Sequence, residues 1–561
     1  MKKGLLFINF LFITLYSFAT HNKGGEITYK CMGGYTYSIT VTTYTKLSST
    51  PTDRCSLTVF FGTGDSALVC RSNGTTSSDP YGGNCNNNAS CPNAPTGDWS
   101  APLQNLNIKK SMYSVIYTYP GPGNYIISMA DPNRSNGIVN VPDFSAFYLE
   151  CYLSINPIAQ NFNNSVQFPK ISFEDVDVGN TFSYNHGAYD TDGDSLAFSL
   201  VPCMEGPNTP ISGYSIPTGI SVNASDGDFT WINPPNVIGT LDHPYWDEYS
   251  YAIKVEEWRC GILVGYVICD FQSIVKNSAN TAPQISLIPD SIIVEGSNFN
   301  MGVSALDINN DSISLNVESY AFALAQPPVF ISTTGAGSVA STLSWQPGCM
   351  EIRKEPYLFL LKAKDNYSSP PVYGTLSDIE SVLINVTGSP VQNLTANPWF
   401  GSITLNWTPV SCTNAIGYNI YRCAKISPGK CDSIFSSYSF IAFVPGANTN
   451  YFIDYPTSRL WCYMVAPVYG TSCSPFVGLG SAIDSTTTII LSRKDINGLQ
   501  SIRFYPNPSS EKIFFDFGEY NEFPLYFELF DLSGRKIIDS EIIRTNHEIN
   551  VSLLSNCLNF C

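Results

Sequence analysis

Short runs in which apolar and polar residues alternate recur along this chain, each bounded by Gly, Pro or Asn. Clear examples are residues 27–29, 35–44 and 56–61. Because successive side chains of a strand point to opposite faces, this period of two predicts antiparallel strands with one buried face. A chain of 561 residues exceeds what one hydrophobic core organises. The sequence therefore predicts an all-β protein built of tandem β-sandwiches.

Charge and missing motifs argue against several function classes. The formal net charge of -17 and the absence of a basic cluster argue against nucleic-acid binding, which depends on neutralising phosphates. The sequence contains no G-x-S-x-G elbow, H-E-x-x-H pair, P-loop or dinucleotide-binding G-x-G-x-x-G. We therefore expect no nucleic-acid partner, no catalysis, and no cofactor apart from the calcium considered below.

The N-terminus has the pattern of a secretory signal peptide. Lys2 and Lys3 precede an uncharged apolar run over residues 4–18, and small residues lie at the end of that run. This pattern predicts a signal peptide over residues 1–19, cleaved between Ala19 and Thr20. No later stretch is long and apolar enough to span a bilayer, so we expect no transmembrane segment after cleavage.

The 17 cysteines fit an oxidising compartment, in which disulfides persist. Local pairs in the sequence include Cys85 with Cys91, Cys260 with Cys269, and Cys423 with Cys431. Zinc is the alternative, but the four His residues are isolated from these pairs. We expect disulfides of undetermined connectivity, with at least one thiol left over, and a stapled surface loop between Cys70 and Cys91.

Residues 20–165 are predicted to form the first domain, which includes that Cys-rich loop. Its hairpin at 114–129 (SVIYTYPGPGNYIISM) and its turn FFGTGDS at 60–66 resemble PKD-type sandwiches. The runs THNKGGEITYK, YTYSITVTTYT, ADPNRSNGIVNVP and YDTDGDSLAFSL are similar to the leading region of gliding-motility-associated surface proteins. The resemblance implies a cell-surface setting and names no mechanism.

An internal repeat follows. The run AYDTDGDSL at 188–196 aligns with ALDINNDSI at 305–313, and each copy continues through a Pro-rich stretch to a strand ending in Trp. Two copies at this spacing predict two sandwiches, at 166–277 and 281–388. Both resemble the cadherin-like and immunoglobulin-like modules of bacterial surface proteins. Residues 390–484 resemble a fibronectin type III domain, with Trp407 as the buried core Trp.

The C-terminal region is predicted to be a linker at 485–501 and a small sandwich at 502–561. Its motifs resemble the type A sorting domain of type IX secretion, carried by Tyr505, Pro506, Asn507 and Pro508, followed by Asp531 and Gly534 in LFDLSGRKI. The resemblance implies the secretion translocon as a partner and a secreted or outer-membrane-surface location. The last residues, SNCLNF and Cys561, depart from the family pattern, so we expect a shortened domain with an exposed sheet edge.

Two acidic patches are the candidate binding sites. Asp190, Asp192 and Asp194 place carboxylates at alternate positions, which suits calcium, although the spacing is not that of an EF-hand. The alternative is a turn made by Asp, Asn and Gly, which we favour for the second copy. Asp247 and Glu248, next to Tyr245 and Trp246, form a candidate sugar platform.

Together these patterns predict a noncatalytic secreted or cell-surface protein that is adhesive or structural and related to gliding or attachment. The alternative is a carbohydrate-binding accessory protein of secreted polysaccharide degradation, with surface glycans as partners.

Overall fold

The computed structural model describes residues 22–487 and 503–550 except for some internal stretches. Those stretches are 48–53, 76–84, 86–88, 93, 101–102, 104–106, 133, 157–161, 169–173, 240–245, 279, 368–374, 400–401, 425–436, 457–459, 471–474, 481–483, 506–510, 517–524, 531–535 and 543–546. The described elements are β-strands, joined by 3₁₀ turns at Tyr320–Ala323 and Cys349–Glu351. The all-β prediction is confirmed.

Residues 22–278 form the first body, which contains sixteen of the described strands. They are β1 Asn22–Gly33, β2 Thr36–Lys46, β3 Ser56–Phe60, β4 Ser66–Cys70, β5 Ile108–Thr118, β6 Gly123–Asp131, β7 Phe147–Ile155, β8 Asp175–Asp177, β9 Phe182–Tyr184, β10 Ser195–Val201, β11 Met204–Gly206, β12 Thr209–Pro210, β13 Ile220–Val222, β14 Phe229–Trp231, β15 Trp246–Arg259 and β16 Ile262–Lys276.

One large sheet joins strands from both predicted units of the first body, while β13-β14-β9 and β11-β12 form two smaller sheets. Its strand order is β4-β3-β6-β7-β16-β1-β2-β5, and β15 joins β10 to β16. Strand β16 pairs with β1 at Gly25 and with β7 through Tyr266, which lies opposite Tyr152. One hydrophobic cluster, which contains residues of both predicted units from Ile27 to Val275 and also Ile379 of the second module, packs against this sheet. The predicted units 20–165 and 166–277 therefore share one sheet and one core, where the sequence analysis expected two separate sandwiches.

The Cys-rich loop is held by two interleaved disulfides. Cys55 bonds to Cys85, and Cys70 bonds to Cys91. The predicted staple across the loop is present, but Cys85 and Cys91 are not bonded to each other. Cys269 is a buried thiol and is not bonded to Cys260. Sequence proximity was misleading here because disulfides follow the spatial distance between strands and loops.

Residues 281–388 form the second module, a two-sheet sandwich. Its strands are β17 Gln284–Ile285, β18 Ser291–Val294, β19 Phe299–Leu306, β20 Ser312–Glu318, β21 Val329–Phe330, β22 Thr333–Ala336, β23 Ser338–Trp345, β24 Tyr357–Asp365 and β25 Ser377–Thr387. The sheet orders are β17-β19-β23-β21 and β18-β25-β24-β20-β22. Apolar residues of both sheets, including buried Trp345, meet in one core.

Residues 390–487 form the third module. Its strands are β26 Gln392–Trp399, β27 Ser402–Thr408, β28 Gly417–Ala424, β29 Ser439–Pro445, β30 Tyr451–Asp454, β31 Leu460–Gly470, β32 Pro475–Val477 and β33 Asp484–Thr487. Trp407 is buried in its core, as predicted. Strand β33 pairs with β31, so the module extends into the first residues of the predicted linker. The fibronectin type III assignment stays a prediction.

The C-terminal domain is described over parts of 503–550. Its strands are β34 Arg503–Tyr505, β35 Lys512–Asp516, β36 Leu525–Phe530, β37 Lys536–Ile542 and β38 His547–Asn550. They form the sheets β34-β35-β38 and β36-β37. The predicted signal cleavage at Ala19 and Thr20, and the chain after 550, lie outside the described residues.

Contacts cross both junctions between the first three units. At the first junction, Lys362 pairs with Glu174, and the rings of Tyr189 and Tyr320 stack with centroids 4.0 Å apart. At the second junction, a disulfide joins Cys349 of the second module to Cys412 of the third. The units are therefore fixed to one another by side-chain contacts and a covalent bond.

Candidate functional site

The predicted calcium residues lie together in the turn between β9 and β10. Asp190 Oδ1 accepts hydrogen bonds of 2.8 Å from the backbone amides of Asp192 and Asp194, which fixes the turn. Gly193 has a φ of 83°, which suits glycine. Carboxylate oxygens of the three Asp residues lie within 4.8 Å of one another. The sequence therefore brings these three groups together as predicted.

A positive charge already occupies this turn. Arg259, the last residue of β15, donates from Nε and Nη2 to the two oxygens of Asp194, each at 2.6 Å. Its Nη2 also donates to Asp192 Oδ2 at 3.0 Å. Such bidentate, charge-assisted contacts are the strongest that a carboxylate makes with a protein side chain. The guanidinium therefore neutralises much of the charge that calcium was predicted to neutralise.

A fourth carboxyl group, Glu257, lies beneath the turn and is fully buried. Burial, followed by the charge of Asp190, raises the pKa of Glu257 well above its ordinary value. Burial also raises the pKa of Asp190 to about 6. Asp190 Oδ2 and Glu257 Oε1 have no hydrogen-bond donor among the described residues, and a proton shared between these two groups would satisfy both atoms.

Asn163 connects this group to the first strand of the body. Its Nδ2 lies 3.0 Å from both Glu257 Oε2 and the hydroxyl of Tyr29, while its Oδ1 accepts from Arg259 at 2.9 Å. Neighbouring Asn164 donates to Asp192 through its backbone amide at 2.7 Å. The acidic turn is thus part of the internal hydrogen bonding that joins the two halves of the first body.

Few carboxylate oxygens of this turn are available to calcium. Calcium takes six to eight oxygen ligands, and the oxygens of Asp192 and Asp194 already accept from Arg259 and Asn164. The ion and the guanidinium would compete for the same atoms. Calcium at Asp190, Asp192 and Asp194 therefore stays a prediction, with Arg259 as its competitor.

The roles of Arg259 and Glu257 at this turn were not predicted from the sequence. The signal that could have found them is the period-two pattern of β15, in which residues 257 and 259 point to the same face. That pattern does not say which loop the face meets. Their pairing with the turn follows from the register of β10 on β15, where Leu196 lies opposite Glu257.

The predicted sugar platform is not an open acidic patch. Asp247 is buried and accepts from the backbone amides of Ile238 and Gly239, at 2.8 and 3.0 Å. Glu248 is buried and pairs with Lys23 at 2.7 Å. Both carboxylates are used inside the first body, and Tyr245 lies outside the described residues. The patch therefore gives no support to sugar binding.

The sorting-signal residues belong to the C-terminal domain. Tyr505 ends β34, which pairs with β35 in the register Tyr505 to Phe514. Pro506, Asn507, Pro508, Asp531 and Gly534 lie outside the described residues. Comparison with protein families matches residues 503–560 to a family described as the secretion system C-terminal sorting domain. This chain carries a type IX secretion sorting domain. The match covers the predicted unit almost from end to end.

Outside the sorting domain, similarity to known proteins is weak. The search of curated proteins finds no match to the chain. Among solved structures, three consecutive titin domains match at 10% identity with a TM-score of 0.18. The match covers 58% of this chain and 99% of the titin chain. Drosophila N-cadherin domains 1 to 4 match at 12% identity with a TM-score of 0.17, and the match covers 65% of this chain and 83% of the cadherin chain. An ICAM-5 ectodomain fragment of four domains matches at 10% identity with a TM-score of 0.19, and the match covers 82% of this chain and 96% of the ICAM-5 chain. At these TM-scores the likeness carries no argument about ligands.

No helix among the described residues has the length and apolar character needed to cross a membrane.

Proposed function

We propose that this chain is a noncatalytic protein that type IX secretion delivers to the cell surface or the medium, where it acts as a structural and adhesive rod. The observation that carries the proposal is the sorting domain at 503–560. Recognition of a folded cargo domain by the translocon requires no chemistry in the cargo. Gliding or attachment is the setting that the N-terminal resemblance favours.

The junctions between units support a rod. A chain of β-sandwiches holds its ends apart only if the units do not swivel, and inter-domain contacts within one chain are often weak. Here Ser389 donates to Glu295 at 2.6 Å beside the Cys349–Cys412 bridge. Tyr469 of the third module packs into the core of the second. Such a rod would present its loops away from the anchoring end.

Cell fractionation tests the export step. Cells expressing the full chain should place it on the surface or in the medium, and removal of 502–561 should leave it in the periplasm. A matched control lacks 390–487 and carries Cys349→Ser, since Cys349 loses its disulfide partner with that module, but it keeps the sorting domain and should still be exported. Surface localisation without residues 502–561 would contradict the proposal.

The stiffness of the rod can be tested at the second junction. Replacing Cys349 and Cys412 by Ser should broaden the distribution of distances between spin labels placed in the second and third modules. Removing the Cys70–Cys91 bridge, which lies inside the first body, should leave that distribution unchanged. Equal distributions with and without the Cys349–Cys412 bridge would argue against a rigid connection.

The carbohydrate-binding alternative stays a prediction. A glycan array probed with the full chain distinguishes it from adhesion to proteins, because binding to a defined polysaccharide would favour the alternative.

A further inference from the structure

A groove of about 560 Å³ opens on the outer face of the large sheet in the first body. It lies between the β3–β4 turn, the neighbouring strands β6 and β7, and the short hairpin β11–β12 that folds over β7. Its size is that of a site for a small ligand or a single side chain. It is separate from the acidic turn and from the predicted sugar platform.

Glu150 forms the floor of the groove and is held rigidly. The hydroxyl of Tyr266 donates to its Oε1 at 2.8 Å, and the hydroxyl of Tyr148 donates to its Oε2 at 3.0 Å. The ring of Tyr266 stacks on Tyr152 with centroids 5.4 Å apart, which fixes the position of its hydroxyl. The floor is therefore a preorganised carboxylate set among aromatic rings.

The walls combine apolar surface with two further carboxylates. Phe60 and Ile126 lie on adjacent strands and keep 45% and 37% of their surface exposed. The turn after β3 brings Asp65 to one end of the groove. Gly62 takes a φ of 78° there, and a Cβ at Gly62 would lie 2.7 Å from the backbone of Ile126. The hairpin brings Glu205 to the opposite wall.

The charge of the lining is one-sided. Asp65, Glu150 and Glu205 all line the groove, and none of its lining residues, all within the described chain, is Lys, Arg or His. The nearby Lys254 lies 5.4 Å above the ring of Tyr266 and pairs with Glu256 at 2.5 Å, outside the lining. Glu205 has no hydrogen-bond or ion-pair partner among the described residues. The groove therefore attracts cations and repels anions.

These features point to one kind of ligand. A Lys or Arg side chain has an apolar stem that can lie on Phe60 and Ile126 and a cationic head that carboxylates bind. A neutral sugar would use donors as well as acceptors, and because the two Tyr hydroxyls already donate to Glu150, Ser128 and Asn208 are the other side-chain donors of the lining. We propose that the groove binds an exposed Lys or Arg side chain of a partner protein, with Glu150 and Glu205 accepting from its head group. This inference deepens the adhesive role proposed above and rests on it for its biological setting.

Binding of small blocked peptides to the immobilised full chain tests the groove. The probes are acetyl-Gly-Lys-Gly-amide and acetyl-Gly-Arg-Gly-amide, with acetyl-Gly-Gln-Gly-amide as the uncharged control and maltotriose as the sugar. The two basic peptides should bind, more weakly at high salt, and the other two should not. Glu205→Gln should weaken basic-peptide binding at least about fivefold, because it removes a charge-assisted hydrogen bond. Glu150→Gln should weaken it by more.

Glu380→Gln is the matched control, since it removes one carboxylate from a partly buried position in the second module. It should leave peptide binding unchanged, which separates the groove from the general attraction of an acidic protein. Equal weakening by Glu205→Gln and Glu380→Gln would overturn the inference, as would binding of maltotriose alone or of none of the probes. If the peptides fail to bind while the chain still reaches the surface, the groove inference falls and the export proposal stands.

Discussion

The two acidic turns of the internal repeat start from similar sequences and fold into different electrostatic surroundings. In the first body, Asp190 and Asp194 are buried, and Asp194 pairs with Arg259. In the second module, Asp307 is equally buried, and its Oδ2 has no hydrogen-bond partner among the described residues. Asp307 faces two other carboxylates. Burial, followed by the charge of Asp307, raises the pKa of Asp311, and burial raises the pKa of Asp365, to which the charge of Asp307 also contributes.

The difference comes from the residue two positions after the acid on the opposite strand, which is Arg259 in the first copy and Tyr367 in the second. In the first body, Leu196 lies opposite Glu257, and β15 continues to Arg259. In the second module, Ile313 lies opposite Asp365, where β24 ends. Both copies therefore place an acidic residue, Glu257 or Asp365, at the same register position. Only in the first copy does the strand then supply a cation, Arg259. A repeated motif does not imply a repeated site, since half of the site comes from another strand.

The largest effect should come from removing the counter-ion. Arg259→Met leaves Asp190, Asp192, Asp194 and Glu257 as a partly buried cluster without its cation. We expect the opening free energy of this region to fall by about 3–5 kcal/mol. Hydrogen exchange of peptides spanning β10 and β15 measures it. Lys364→Met removes a partly buried Lys that precedes Asp365 in β24 and should cost less than about 1 kcal/mol. A similar loss in both variants would remove the contrast between the turns.

Neutralising one Asp in each turn compares the copies directly. Asp194→Asn breaks the bidentate contact with Arg259 and should cost about 2–3 kcal/mol. Asp307→Asn keeps an oxygen for the Asp311 amide and removes an uncompensated charge, so stability at neutral pH should be unchanged or higher. Hydrogen exchange of peptides that span each turn measures the local stability of both variants in the full chain. Equal losses at the two positions would mean that Arg259 contributes little.

The sequence predicted the strands well because alternation reports which face of a strand is buried. It also placed Trp407 in a core and brought the three Asp residues into one turn. It did not predict that β16 would pair with both β1 and β7, because such register depends on contacts across more than a hundred residues. The roles of Arg259 and Glu257 were missed for the same reason, since nothing local to 255–259 specifies the turn that they meet.

The first turn should also lose stability as the pH rises. The folded-state pKa of Glu257 is raised, so its contribution to stability is fully present below its unfolded pKa of about 4.5 and is lost as the pH rises. Asp190, with a pKa of about 6, adds a loss of the same sign between about pH 4 and 6.

Glu257→Gln removes the first of these two contributions. The variant should match the wild type in stability at pH 4 and be more stable than the wild type at pH 8, as followed by hydrogen exchange corrected for intrinsic rates. The neighbouring Glu256→Gln, on the opposite face of β15, should give a curve parallel to the wild type. A Glu257→Gln curve that runs parallel as well would show that the buried carboxyl carries no raised pKa.

The smallest expected effect is the stabilisation of the first turn by calcium, compared between the wild type and Arg259→Met. If Arg259 and calcium compete for the oxygens of Asp192 and Asp194, the wild-type first body should gain little from the ion, and Arg259→Met should gain more. For a dissociation constant of about 1 mM, which is common in extracellular modules, 10 mM calcium stabilises the bound state by about 1.4 kcal/mol. Calorimetry of both chains with calcium or magnesium measures this gain. Equal gains would mean that the guanidinium does not compete, and no gain in either chain would contradict calcium binding at this turn, because the variant frees both oxygens of Asp194 from Arg259.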